Sequence, residues 1–253
     1  MNGEQQDPTG ADAAGSAAAG SATTRSARLS SGEGPRKVAA FDFDGTLSRR
    51  DTLVPFLAQA AGRRRFAQVC GQLGLGGVRR SVDLRDRDRL KEQMLRELFA
   101  GRDEQELRHL GARYARDLLS DQLRPDVLTR LEDHRRAGHE VVFVSASLVY
   151  YLEPLADLLD LQGVMAVEPE VVGGRLTGAL ARPNVRAEQK AVRLREWLGQ
   201  SAAGPIDGVR LWGYGNSSGD HALLAMSDHR YWLGRPGKVP AGSHVFTPGP
   251  IPD

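Results

Sequence analysis

The sequence predicts an α/β fold in which helices cover both faces of a parallel sheet. Short apolar runs alternate with segments of helical periodicity, the pattern of βαβ units. Several of these runs are followed by small polar or acidic residues, namely Asp42-Phe43-Asp44, Ser145-Ala146-Ser147 and Gly215-Asn216-Ser217-Ser218-Gly219-Asp220. The carboxyl ends of parallel strands meet at one edge of a sheet, where open α/β folds bind ligands. These residues therefore form the candidate site.

Four strands are predicted from the apolar runs. The first, over 38–41, is a buried run, and the second, over 140–144, is rich in β-branched residues. The second strand follows an amphipathic helix over 125–137, which ends before a glycine. The third and fourth strands are predicted at 209–214 and 231–233.

A helical subdomain is predicted between the first two strands. Residues 48–136 are too many for an ordinary βα connection. They contain two sets of apolar residues at helical spacing, Leu90, Met94, Leu95 and Leu98, and Leu107, Leu110, Tyr114 and Leu118. We therefore expect this segment to fold as an insertion into the sheet domain.

Composition excludes several classes of protein. The chain of 253 residues is 40% hydrophobic, enough for a sizeable core, and its net charge of +2 argues against a nucleic-acid-binding protein. The single cysteine, Cys70, excludes an intramolecular disulfide and a cysteine-rich zinc site. No apolar run approaches the roughly 18 residues of a membrane-spanning helix, and no secretory signal pattern is found. A cytoplasmic protein is expected, and its oligomeric state is left open.

The two acidic residues after the first strand are the candidates for catalysis and metal binding. Asp42 and Asp44 lie two positions apart, and such carboxylates repel each other unless a proton or a cation lies between them. Mg²⁺ suits oxygen ligands of this kind. One carboxylate can then act as a nucleophile and the other as a general acid and base. The alternative is a turn in which both residues cap a helix.

Four motifs resemble those of the haloacid dehalogenase superfamily. Asp42-Phe43-Asp44-Gly45-Thr46-Leu47 resembles its motif I, and Ser145 closes an apolar strand as motif II requires. Lys190 resembles the lysine of motif III, and residues 215–220 resemble motif IV. The motifs occur in the family order and span residues 38–233. The helical insertion is similar to the C1 cap of subfamily IB, which includes phosphoserine phosphatases.

This resemblance implies a Rossmann-like core with an inserted helical C1 cap. The core is assigned to residues 36–48 and 125–235, and the cap to residues 49–124. Residues 1–35, rich in Ala, Gly, Ser and Thr, are predicted to be a disordered tail. Residues 236–253, rich in proline and glycine, are predicted to be an irregular tail.

The resemblance also implies a mechanism. In this family the residue matching Asp42 attacks phosphorus and forms an aspartyl-phosphate, and the residue matching Asp44 protonates the leaving alcohol and then activates water. Lys190 and Ser145 are expected to bind the phosphoryl group, with Ser147 as a nearby rival for the role of Ser145. Further phosphate contacts are expected from the main-chain nitrogens around Phe43 and Ala146. Thr46 is expected to belong to the phosphate site and to orient Asp44 or the motif I loop.

The metal site is the point at which the sequence departs from the family pattern. The resemblance implies that Asp42, Asp44, Asn216 and Asp220 hold Mg²⁺. Asn216 stands where an aspartate is usual, so the site has one negative charge fewer. Three outcomes are open: weaker Mg²⁺ binding, compensation by Asp220, or a damaged enzyme. A working site is favoured because the other motif residues are present.

Two features bear on the substrate. Asp51 matches the position at which phosphoserine phosphatases bind the substrate ammonium, but an aspartate there is also a helix N-cap, which is the favoured interpretation. Residues 66–78 are apolar, uncharged and flanked by arginines. They are interpreted as a cap segment packed on the core, or alternatively as a surface that contacts anionic lipid.

The sequence therefore predicts a Mg²⁺-dependent phosphomonoesterase that acts on a small phosphorylated metabolite. One alternative is a lipid-phosphate phosphatase at the membrane surface, similar to phosphatidylglycerophosphate phosphatases. Another is a non-catalytic protein that binds a phosphometabolite through a weakened metal site. Dehalogenase chemistry is disfavoured because Asp44 belongs to the phosphatase pattern, and phosphomutase chemistry would need a second phosphate-binding feature.

Overall fold

The computed structural model describes residues 34–74, 84–200 and 206–251, without the side chains of 84–87. Within these ranges the elements follow in the order β1 (Arg36–Phe41), α1 (Leu53–Ala61), α2 (Arg63–Gln72), α3 (Leu84–Phe99), α4 (Glu104–Asp121), α5 (Pro125–Arg136), β2 (Glu140–Leu148), α6 (Val149–Leu158), β3 (Gly163–Val167), β4 (Pro169–Val172), β5 (Arg175–Leu180), α7 (Glu188–Leu198), β6 (Val209–Gly215), α8 (His221–Ala225), β7 (His229–Trp232) and β8 (His244–Val245).

The main sheet has six parallel strands in the order β3-β2-β1-β6-β7-β8. Strand β1 is central, with Phe41 paired to Phe143 on one side and to Tyr214 on the other. Its last four residues are fully buried, which explains the continuous apolar run in the sequence. The predicted α/β fold with a Rossmann-like parallel sheet is confirmed.

Local sequence signals account for several helix boundaries. Helix α4 begins after Asp103, whose side chain accepts a hydrogen bond from the main-chain nitrogen of Glu106 at 3.2 Å. Helix α5 has Pro125 in its first turn, where the missing N–H is not needed. Helix α7 ends at Gly199, which adopts the left-handed conformation.

The insertion contains helices α1 to α4 and is joined to the core by two paired chain segments. Ser48 and Leu123 form an antiparallel bridge. The main-chain nitrogen of Arg49 donates to the carbonyl oxygen of Gln122 at 2.9 Å, and that of Arg124 donates to the carbonyl oxygen of Leu47 at 2.8 Å. The segments that enter and leave the insertion thus form a short two-stranded ribbon.

The hairpin of β4 and β5 packs against the insertion, although the sequence assigned it to the core range 125–235. A Cβ added to Gly178 would lie 2.7 Å from the Cα of Arg96 in α3, so strand and helix are in close contact. Asp103 and Arg175 form a further antiparallel bridge between the two. The hairpin therefore packs with the helical insertion. The sequence did not indicate this, because the residues that it contacts, Arg96 and Asp103, lie far from it in the chain.

The C-terminal segment, predicted to be an irregular tail over 236–253, has little regular structure in its described part but is tied to the core. Strand β8 adds to the sheet edge, with Val245 paired to Trp232. The guanidinium of Arg130 donates to the carbonyl oxygens of Thr247 at 3.2 Å and Gly249 at 2.9 Å. These contacts are made across the fold, so proline and glycine content alone does not reveal them. The predicted N-terminal tail lies almost entirely outside the described residues.

Candidate active site

The candidate site lies at the carboxyl edge of the central strands. Asp42 follows β1 directly. Its main-chain nitrogen continues the pairing with β6 by donating to the carbonyl oxygen of Tyr214 at 2.9 Å. The chain then turns at Gly45, whose φ is +76°. A Cβ at this position would lie 2.1 Å from the Nδ2 of Asn216. Glycine is needed here for both its conformation and its lack of a side chain.

Lys190 lies between two carboxylates in the buried centre of the site. Its Nζ donates to Oδ1 of Asp42 at 2.5 Å and to Oδ1 of Asp220 at 2.6 Å. Thr46 donates its hydroxyl to the other oxygen of Asp42 at 2.9 Å. The Lys190 side chain is only 2% exposed. The structure thus brings together residues from three predicted motifs.

Burial and charge set the protonation of this cluster. Burial, with a smaller contribution from Asp220, raises the pKa of Asp42 from its ordinary value to about 7. Burial disfavours the charged form of Lys190, but Asp220 and Asp42 outweigh it and raise the pKa of the ammonium. Burial likewise opposes ionisation of Asp220, but Lys190 and the main-chain donors lower its pKa. One lysine therefore does not fully neutralise the two carboxylates.

Asp44 is held by neighbours from the insertion and from β2. One oxygen accepts from the main-chain nitrogen of Thr52 at 2.8 Å and from its hydroxyl at 2.6 Å. The other accepts from the hydroxyl of Ser147. The hydroxyl of Tyr151 lies 3.1 Å from that of Thr52 and closes this side of the site. Burial is the main cause of a raised Asp44 pKa, and a raised pKa favours the protonated form that a general acid needs.

The two serines of motif II have different surroundings. The hydroxyl of Ser145 accepts from the main-chain nitrogen of Ser147 at 3.1 Å, which leaves its own hydrogen available. The hydroxyl of Ser147 is engaged with Asp44. Ser145 is thus the serine whose hydroxyl can donate to a phosphoryl group, and Ser147 contacts the acid. Ala146 lies between the two at the end of β2.

The predicted metal ligands are not all equally available. Both oxygens of Asp220 are in use, Oδ1 with Lys190 and Oδ2 with the main-chain nitrogens of Asn216 and Ser217 at 3.0 and 2.9 Å. Asp220 also caps the turn over residues 218–220. Asp220 is thus an anchor for Lys190 and for the main chain at Asn216, and its role as a metal ligand stays a prediction.

Asn216 contacts the turn that follows Asp42. The side-chain amide of Asn216 contacts the carbonyl oxygen of Asp44 at 3.1 Å through its Nδ2. Carboxylate, carbonyl and amide oxygens are the hard donors that Mg²⁺ prefers. Burial, the main cause of the raised Asp42 pKa, and the neighbouring Asp220 both disfavour the Asp42 carboxylate, which a cation would stabilise. The described residues contain no group of three or more His, Cys, Asp or Glu side chains arranged for a metal, so a Mg²⁺ site here would combine the Asp42 carboxylate with neutral oxygens.

Asp51 lies at the beginning of α1, where its charge adds to burial, the main cause, in raising the pKa of Asp44. Asp51 is exposed, and its side chain accepts from the main-chain nitrogen of Val54 at 3.0 Å. This is the N-cap interaction that the sequence favoured for Asp51.

Sequence reasoning missed two residues that come from the insertion. Thr52 supplies both hydrogen bonds to one oxygen of Asp44, and Lys91 in α3 reaches the carbonyl oxygen of Ala146. Lys91 also donates to Asn184 at 2.9 Å, and Asn184 donates to Asp88 at 2.5 Å. The scarcity of lysine in this arginine-rich chain was the one signal that could have singled out Lys91.

Comparison with known proteins agrees with this geometry. The family profile described as haloacid dehalogenase-like hydrolase matches residues 39–225. The chain belongs to this family. It is also similar to the protein CicA of Caulobacter vibrioides, with 31% identity over 204 residues that cover 79% of this chain and 88% of CicA. The predicted superfamily is therefore confirmed.

Two solved structures share the fold. A Bordetella pertussis protein of unknown function has a TM-score of 0.64 and 26% identity, and the alignment covers 80% of this chain and 92% of that one. A probable phosphoserine phosphatase from Vibrio cholerae has a TM-score of 0.52 and 18% identity, with coverage of 80% and 57%. The similarity to phosphoserine phosphatases that the helical insertion implied thus extends to the fold.

No helix in the described part of the chain is both long and apolar enough to cross a lipid bilayer. The apolar segment 66–78 is described only in part: residues up to Gln72 belong to α2, and 75–78 lie outside the described residues.

Proposed function

We propose that this protein is a Mg²⁺-dependent phosphomonoester hydrolase that works through an aspartyl-phosphate on Asp42. The observation that carries the proposal is the position of Lys190, which bridges Asp42 and Asp220 while Asp44 lies beside them with a raised pKa. A buried nucleophile, a cation against it and a separate protonated acid are the parts that a two-step displacement at phosphorus requires.

The first step transfers the phosphoryl group to the enzyme. An oxygen of Asp42 forms a bond to phosphorus as the bond from phosphorus to the substrate oxygen breaks. Asp44 gives its proton to that oxygen, so the leaving group departs as a neutral alcohol. The raised pKa of Asp44 supports this role because a larger fraction of the group holds a proton near neutral pH.

The second step releases the phosphate. The Asp44 carboxylate takes a proton from water as the water oxygen bonds to phosphorus, and the bond from phosphorus to Asp42 breaks. Orthophosphate leaves, and both aspartates return to their starting states. The two hydrogen bonds from Thr52 stabilise the carboxylate form of Asp44 that this step needs.

The remaining residues stabilise the transferring group. Lys190 supplies positive charge against the phosphoryl oxygens and the Asp42 carboxylate, and Ser145 has a free hydroxyl hydrogen to donate. The main-chain nitrogen of Ala146 is a further donor in this proposal. Thr46 holds the second oxygen of Asp42 and so orients the nucleophile.

Mg²⁺ would be held by Asp42 and Asn216, with Asp44 contributing from the same turn. Asp220 stays in the set as the residue that fixes Lys190 and the main chain of Asn216. When bound, the cation supplies charge neutralisation at the phosphoryl group and keeps Asp42 ionised. Asn216 in place of an acid lowers the negative charge of the ligand set, so we expect modest Mg²⁺ affinity.

A small phosphorylated metabolite remains the proposed substrate, and the cytoplasm the proposed location. The insertion lies over the acid: Thr52 contacts Asp44, and Lys91 contacts the end of β2. This cover favours a substrate small enough to be enclosed. Hydrolysis of a lipid phosphate remains the alternative.

The test is phosphate release from p-nitrophenyl phosphate and a panel of phosphometabolites, with a Mg²⁺ titration and an EDTA control. Metal-dependent turnover in the wild type that is absent in Asp42→Asn is expected. Turnover that survives in Asp42→Asn would overturn the assigned nucleophile. Ligand binding with no turnover of any panel member would favour the non-catalytic alternative.

A further inference from the structure

Lys91 is the residue of the insertion that reaches motif II. It lies on α3, and its Nζ donates to the carbonyl oxygen of Ala146 and to Oδ1 of Asn184 at 2.9 Å. Asn184 in turn donates to Asp88, one helical turn before Lys91, at 2.5 Å. These bonds join α3 to the end of β2 and to the loop before α7.

The carbonyl of Ala146 needs such a partner because the sheet does not supply one. Strand β2 pairs with β1 only as far as Phe143. Its register with β3 is interrupted between Val144 and Leu148. The irregularity frees the 145–147 segment from the strand ladder, and Lys91 satisfies the carbonyl that this leaves open.

The same peptide unit connects Lys91 to Ser145. The carbonyl of Ala146 and the nitrogen of Ser147 belong to one peptide group, and that nitrogen donates to the Ser145 hydroxyl at 3.1 Å. A cation at the carbonyl polarises the peptide and strengthens its N–H as a donor. With its oxygen accepting from Ser147, the Ser145 hydroxyl directs its own hydrogen away from the peptide.

We propose that Lys91 is a positioning residue, which acts through the Ala146–Ser147 peptide to orient the Ser145 hydroxyl toward the phosphoryl group. The insertion thereby contributes to phosphate binding without touching the phosphate. When α3 packs on the core, hydrogen bonds connect the Lys91 ammonium to the Ala146–Ser147 peptide and this peptide to the Ser145 hydroxyl. This inference rests on the proposed function, because it assigns Ser145 to the phosphoryl group.

Replacing Lys91 tests these connections. We expect Lys91→Met to raise both the KM for p-nitrophenyl phosphate and the inhibition constant of orthophosphate about tenfold, the effect of roughly one hydrogen bond. The change in kcat is expected to be smaller. Lys91→Arg keeps the charge and is expected to recover most of the loss. Lys238→Met, at an exposed lysine, is the matched control and is expected to behave as the wild type.

A double-mutant cycle separates orientation of Ser145 from general support of the fold. If Lys91 acts through Ser145, Lys91→Met has no further effect on orthophosphate affinity in a Ser145→Ala background. Equal losses in both backgrounds would overturn the proposal. Asn184→Ala removes the link to Asp88 but leaves the contact between Lys91 and Ala146. A loss of orthophosphate affinity as large as that of Lys91→Met would also overturn the proposal. It would indicate that these bonds only hold α3 against the core.

The proposal and the proposed function fail in different ways. Orthophosphate binding measured by calorimetry on wild type, Lys91→Met and Lys91→Gln needs no turnover, and Gln keeps an N–H donor if Met does not fold. A wild type that binds orthophosphate but hydrolyses nothing would count against the proposed function alone. Unchanged orthophosphate affinity in the folded variants would count against the role of Lys91 alone.

Discussion

Thr52 donates two hydrogen bonds to one oxygen of Asp44, from its main-chain nitrogen at 2.8 Å and its hydroxyl at 2.6 Å. The two residues belong to different parts of the fold, because Asp44 follows the central strand and Thr52 begins the insertion. The ionised form of the acid is therefore stabilised by the insertion, whereas burial favours the protonated form.

Replacing Thr52 shifts the pH dependence. Thr52→Val removes the hydroxyl bond that lowers the pKa of Asp44, so this pKa rises further. The protonated acid then persists to higher pH, and the basic limb of kcat/KM moves upward. A pH–rate profile of the variant checks this, with Thr129→Val on an exposed helix face as the control. An unshifted basic limb would contradict the role of Thr52.

Replacing the acid itself has an effect that depends on the leaving group. Asp44→Asn removes proton donation, which matters most when the departing group is a poorly stabilised alkoxide. Hydrolysis of an alkyl phosphate is expected to fall by roughly 10² to 10⁴, the usual contribution of general acid catalysis. Phosphate transfer from p-nitrophenyl phosphate, measured as the burst of nitrophenol, is expected to fall much less. Equal losses for both substrates would remove Asp44 from this role.

The stability of the metal-free protein is expected to fall as pH rises toward neutrality. Folding raises the pKa of Asp42 from 3.8 to about 7, so between these values the folded state holds a proton that the unfolded state has lost. The free energy of unfolding therefore declines over this interval and levels off above it. Urea denaturation at a series of pH values checks this against Asp42→Asn, in which the decline is expected to be smaller. A variant with the wild-type slope would contradict the assignment.

The turn at Gly45 offers a test of close packing. Gly45→Ala is expected to displace Asn216, because the new Cβ would lie 2.1 Å from its Nδ2. Gly138→Ala is the matched control: its φ is +75°, against +76° at Gly45, but its surroundings are open. Both variants carry a backbone cost of about 1 kcal/mol, so a larger loss of Mg²⁺ affinity in Gly45→Ala isolates the contact. Indistinguishable Mg²⁺ titrations would argue that Asn216 does not bind the metal.

Restoring an acid at position 216 is expected to strengthen metal binding. Asn216→Asp adds a negative charge to a set of hard oxygen donors, which favours a divalent cation. Without the cation the new carboxylate would repel Asp42, so the variant is expected to be less stable in EDTA than in Mg²⁺. Calorimetric Mg²⁺ titration and thermal unfolding in both conditions check this. Unchanged metal affinity would place Asn216 outside the ligand set.

Much of the fold and the centre of the site could be predicted from the sequence. Buried parallel strands are continuous apolar runs, and the polar residues that end them mark the ligand edge, so Asp42, Ser145 and Asn216 could be located. The order of the motifs added Lys190, which is 148 positions from Asp42 in the chain. These signals are local, and each can be recognised in the sequence without knowledge of the packing.

The rest depended on contacts that no local pattern encodes. Lys91 is 55 positions from Ala146, and only the docking of α3 brings them together. The choice between Ser145 and Ser147 required the direction of their hydrogen bonds, since both lie at the same strand end. The two oxygens of Asp220 had several candidate partners, and only the fold shows that Lys190 and the neighbouring main chain occupy them.

The paired ribbon at the base of the insertion limits how the insertion can move. Ser48 bridges Leu123, and the adjoining main-chain hydrogen bonds tie the incoming segment to the outgoing one. Sliding one segment past the other would break these bonds together, whereas bending both in concert breaks none. A displacement of the incoming segment near Thr52 would therefore be transmitted through the ribbon to the outgoing segment, so the two ends of the insertion are mechanically coupled.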